Sequence, residues 1–91
     1  MDEQNQSVNV NEIEQLEAIR NHALEMLVPL IDTLDDSPEQ KFELLMTAAR
    51  SSGSPALLQK VLETVQHFEQ PREKAAAIVD LLNEVNVHLQ S

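Results

Sequence analysis

The sequence predicts an all-α fold, a small four-helix bundle in which one long, kinked helix is followed by three shorter ones. Three observations carry that expectation. Apolar residues recur at helical spacing along most of the chain. Glycine occurs once, phenylalanine twice, and Tyr and Trp not at all, which in a Leu-rich, Ala-containing chain describes a compact helical object. Pro38 and Pro55 each follow a serine, the pairing that opens a helix with a cap and a pre-set backbone angle. The 91 residues make one small domain and leave no room for a second.

Residues 1–10 are polar and aperiodic, so they read as a disordered lead-in to a single helical domain over 11–91. The first helix is expected over 12–34, with Asn11 as its cap and Glu14 completing a capping box. Ile13, Leu16, Ile19, Ala23, Leu24, Met26, Leu27, Leu30, Ile31 and Leu34 share a sector about 160° wide, with Glu14, Glu17, Asn21, Glu25 and Asp32 opposite. A sector that wide implies contact with two neighbours, or with one neighbour and a partner molecule. Pro29 withholds an amide from the ladder and is expected to kink the helix.

The second helix, over 38–51, opens with Ser37 as cap, Pro38 in the first turn and Gln40 closing the box. It presents Phe42, Leu45, Met46 and Ala49 at helical spacing, and Gly53 supplies the left-handed residue that ends it. Ser54 and Pro55 open the third helix, over 55–69, which turns Leu58, Val61, Leu62, Val65 and Phe68 to one side. Pro71 opens or kinks the fourth, over 71–89, whose expected buried face is Ala75, Ile78, Val79, Leu82, Val85 and Leu89. The consecutive Ala75, Ala76 and Ala77 allow a neighbouring backbone to approach closely.

The charge is uneven. A formal net charge of -10 is concentrated at the front, where residues 1–36 carry nine carboxylates against the single Arg20, while 37–91 carry five basic residues against seven acidic ones. Direct nucleic-acid binding needs clustered cations and stacking aromatics, and anionic membrane surfaces also need cations. Neither is expected as a partner. No apolar run reaches the roughly 20 residues of a membrane span, so the expected setting is cytoplasmic. The chain has no cysteine, which removes thiolate nucleophiles and cysteine-based metal sites.

Chemistry is sparse. His22 and Glu25, Glu63 and His67, and Glu84 and His88 lie within helical reach, and Asp80, Glu84 and His88 stack on successive turns. A di-metal carboxylate bundle instead needs inward Glu residues and Glu-x-x-His pairs. Asp32, Asp35, Asp36 and Glu39 lack the alternation and central glycine of a calcium loop, and their ordinary role is to face a helix N-terminus. No motif surrounds any Ser or Thr, and there is no phosphate loop. No catalytic residue, metal, cofactor or small-molecule substrate is therefore assigned, and the chain reads as a non-enzyme.

What remains is a geometric surplus. At roughly 1.5 Å per residue the first helix spans about 34 Å, while the two helices after it span about 21 Å each. Either Pro29 folds it back, or its first half projects. The expectation is a protein-interaction module, adaptor or regulatory subunit that binds its own copy, placed ahead of a different protein, through Ile13, Leu16, Ile19, Arg20, Ala23 and Met26. The alternative is an acidic mimic that presents Glu14, Glu17, Glu25 and Asp32 to a basic surface. A metal-dependent enzyme is the remote third reading.

Overall fold

The structure, a computed structural model, describes residues 10–90. It holds four helices: α1 Val10–Thr33, α2 Pro38–Ser52, α3 Pro55–Val65 and α4 Pro71–Gln90. The all-α four-helix architecture read from the sequence is the one observed. The lead-in expected over 1–10 lies outside the described residues, except that Val10 already belongs to α1. Asn11 therefore sits inside the first turn instead of capping it. The helix continues through Pro29 to Thr33, where the Thr33 hydroxyl donates to the Leu30 carbonyl at 2.8 Å.

Local chemistry explains the internal boundaries. The Gln40 amide donates to Ser37 Oγ at 3.2 Å, and the Ser37 amide donates to Gln40 Oε1 at 3.1 Å, a reciprocal capping box. Gly53 closes α2 at φ 67°, with its amide donating to the Ala49 carbonyl at 2.7 Å. That left-handed conformation is what glycine supplies without steric penalty. The Leu57 amide then donates to Ser54 Oγ at 3.4 Å, capping α3.

The end of α3 differs from expectation. The helix stops at Val65 instead of continuing to 69, because the His67 and Phe68 amides donate to the Thr64 and Val65 carbonyls, both at 3.0 Å. These three-residue closures tighten the last turn and redirect the chain. Phe68 is thereby turned into the core and meets Phe42 edge-on, with ring centroids 5.7 Å apart. Residues 66–70 are not helical, so Pro71 opens a separate helix rather than kinking the previous one, and Lys74 Nζ donates back to the Gln66 carbonyl at 3.4 Å.

The core sits on the α2–α3 pair. α2 contributes Phe42, Leu45, Met46, Ala48 and Ala49, and α3 contributes Leu57, Val61 and Val65. α1 rests on α2, and α4 on α3. α1 adds only Ile31 to the fully buried set, backed by half-buried Leu24, Leu27 and Val28. Every residue from 10 to 23 is exposed. The first half of α1 projects, and the molecule measures 57 × 30 × 18 Å with a radius of gyration of 16.4 Å. A compact chain of this length would have a radius of about 12 Å.

α4 also packs differently from expectation. It buries Ala77 and Leu81, not the face of Ala75, Ile78, Val79, Leu82 and Leu89, of which all are exposed, while Val85 is half-buried. A helix turns about 100° per residue, so a shift from Leu82 to Leu81 rotates the contact by a quarter turn or more. The five residues after α3 deliver α4 with Ala77 beside Phe42 and Phe68. The small side chain of Ala77 permits that close approach. On α3, Val61 and Val65 are buried as expected, Leu58 is half-buried, and Leu62 faces outward.

Candidate functional site: the outward face of α1

The wide apolar sector of α1 is two faces, and the structure separates them. Leu24, Leu27, Val28 and Ile31 point to the body. Leu16, Ile19, Ala23, Met26 and Leu30 form a second stripe about 100° further round the helix. Leu16, Ile19, Met26 and Leu30 are 58, 64, 59 and 56% exposed, so roughly 400 Å² of apolar surface lies open, a size at which patches on monomers are often functional. A shallow groove on this face is lined by Ala18, Ile19, His22, Ala23 and Met26.

Of the six residues expected to bind a partner, Leu16, Ile19, Ala23 and Met26 lie together on this stripe. Ile13 and Arg20 do not share it. They continue the body-facing side beyond the point where the body ends, and both are exposed. Arg20 Nε donates to Asn21 Oδ1 at 3.4 Å. Leu30 belongs to the stripe but was not among the expected binding residues. Its signal was present in the spacing 16, 19, 23, 26, 30, which repeats three and four as a helix-pairing seam does.

The residues of the acidic face lie away from the stripe, whereas Glu12 continues its line one turn before Leu16. Glu14, Glu17 and Glu25 are exposed, and a 100° advance places them on the far side of the helix. Asp32 is drawn off to the body, where its Oδ2 accepts from Lys60 Nζ at 3.4 Å. Exposed pairs of this kind contribute about 0–1 kcal/mol, so this one orients α1 more than it stabilises it.

Of the remaining titratable pairs, Glu84 and His88 come together and share a structural partner. Glu84 Oε1 accepts from Arg50 Nε at 3.3 Å, while its Oε2 lies 3.0 Å from His88 Nε2. This cluster joins α4 to the end of α2, where the His88 ring lies against Gly53. Asp80 does not join it as a third ligand, and among the described residues no group of three His, Asp or Glu side chains converges as a metal site would require. No helix among the described residues is long and apolar enough to cross a membrane.

A second apolar strip lies on α4, where Ala75, Ile78, Leu82 and Leu89 are exposed beside Val79. Unlike the free half of α1, this strip backs onto a helix already anchored through Ala77 and Leu81. Compared with models of known protein families, with characterised proteins and with solved structures, the chain matches none.

Proposed function

We propose that this chain is a non-enzymatic protein-interaction module, an adaptor or regulatory subunit acting in the cytoplasm, with α1 as its docking element. The observation that carries the reading is the row of exposed apolar side chains along α1, whose first half, residues 10–23, adds nothing to the buried core. Leaving each large apolar side chain in water forgoes about 1.5–3 kcal/mol of burial. A projecting helix of this length is also marginal without tertiary contacts, since isolated helices shorter than about 12–15 residues barely hold in water. Docking against an apolar partner surface supplies both the burial and the ordering.

The acidic-mimic reading uses the other side of the same helix. Its support is the charge skew toward the front of the chain, and its array is reduced to Glu14, Glu17 and Glu25 by the pairing of Asp32 with Lys60. A photoreactive residue placed at Ile19 or Met26, and in parallel at Glu14 or Glu25, separates the two readings in cells. The docking reading expects protein adducts from Ile19 and Met26 and none from the acidic positions. Adducts only from Glu14 and Glu25 would favour the mimic, and none from any position would refute both.

A further inference from the structure

We propose that the occupant of the outward face of α1 is a second copy of this chain, paired antiparallel along Leu16, Ile19, Ala23, Met26 and Leu30. The proposal rests on the reading of α1 as the docking element and names its partner. Three features of the stripe select a copy of itself.

The first is spacing. The five residues alternate three and four apart, so they stay in line against a straight neighbouring helix with the same repeat. In an antiparallel pair Ile19 faces the partner's Leu30, and Ala23 faces the partner's Met26. The long, adaptable Met side chain thus meets the smallest residue of the row, in both directions. A parallel pair would set Ala23 against its own copy, leaving a gap, and would bring both α2–α3 bodies to one end.

The second is charge. A chain with a formal net charge of -10 ordinarily repels its copy. Here Gln15, Arg20 and His22 border the seam, whereas Glu14, Glu17 and Glu25 lie behind it. Glu12 continues the row one turn before Leu16, and in the antiparallel register it falls beyond Thr33, the end of the partner's α1, so the overlapping rows carry no carboxylate. A basic partner would find its complement on the opposite side of α1.

The third is area. Two open stripes of roughly 400 Å² each remove on the order of 800 Å² on pairing, with the bordering Gln15 and His22 adding to it, an area that suits a reversible, concentration-dependent pair below the roughly 1,200 Å² of standard interfaces.

Sedimentation equilibrium of the full chain tests this at ~100 μM, where a micromolar pair is mostly associated. The expected mass is twice the 10.2 kDa of the chain, and I19D/M26D returns it to the single-chain value with the helical circular-dichroism signal of α2–α4 retained. A single-chain mass for the unsubstituted protein overturns the proposal. So does a dimer that survives I19D/M26D, which would locate self-association elsewhere, such as the α4 strip.

Orientation is read separately, because the native chain contains no cysteine. Mixing Ile19→Cys with Leu30→Cys chains under mild oxidation should give a disulfide-linked pair, while Ile19→Cys alone should give little. Efficient linkage of Ile19→Cys to itself overturns the antiparallel register. A single-chain mass combined with adducts from Ile19 to a different protein in cells would end the self-pairing proposal and leave the docking reading intact.

Discussion

Residues 10–23 of α1 and the whole of α2 carry apolar side chains at similar density, six in fourteen residues against six in fifteen, yet five of those in α2 are buried and none of those in α1. Composition alone therefore does not distinguish a core helix from a docking helix. Geometry does: α2 is flanked by α1 and α3, whereas the front of α1 has outrun the other helices among the described residues. The difference also separates the roles of the side chains, since those of α2 stabilise the chain itself and those of α1 act on whatever comes next to it.

Substitution experiments can break that comparison, beginning with the largest expected effect. Phe42→Ala removes a 95% buried ring and its edge-on contact with Phe68, and should lower stability by about 3–5 kcal/mol in urea unfolding. Next, Leu81→Ala on α4 should cost about 2–4 kcal/mol while its neighbour Leu82→Ala costs under about 0.5 kcal/mol. The reverse order, with Leu82→Ala the costlier, would mean that α4 presents the face expected from its repeat. Gly53→Ala should cost about 1–2 kcal/mol, since the residue sits at φ 67° and an added Cβ would lie 3.1 Å from His88 Cε1. Ser37→Ala loses the reciprocal box and should cost about 1 kcal/mol. The smallest effect belongs to Ile19→Ala: a change within about 0.5 kcal/mol in dilute protein, measured in the same unfolding experiment. A cost of several kcal/mol for Ile19→Ala in dilute protein would place that residue inside a core and erase the contrast with α2.

Much of this architecture was legible residue by residue because its signals are local. Ser37, Pro38 and Gln40 determine a helix start within four positions, and Gly53 with Ser54 and Pro55 determines a stop and a restart. The surplus on α1 was legible too, as a sector too wide for one neighbour. The facing of α4 was not. Its most regular stripe, through Ala75, Ile78, Leu82 and Leu89, is largely exposed because the turn after Val65 delivers the helix with Ala77 against the Phe42–Phe68 pair. That turn depends on tertiary placement of Phe68, which no spacing rule encodes. Similarly, Ile13 falls within the apolar sector of α1 and Arg20 on its flank, but only the position of the body divides that sector into a packed side and an open one. Leu30 was overlooked as a binding residue for the same reason, since it lies beside Ile31, which is fully buried.

The central claim is that the apolar side chains in the front half of α1 pack into no core among the described residues of the chain. Amide hydrogen exchange, followed residue by residue in the full protein as its concentration is raised, addresses this most directly. In dilute protein, amides of residues 14–23 should exchange orders of magnitude faster than those of Leu45, Met46 and Val61, with protection growing as copies associate. Strong, concentration-independent protection of 14–23, equal to that of Val61, would mean that this segment is packed within the single chain and would contradict the account.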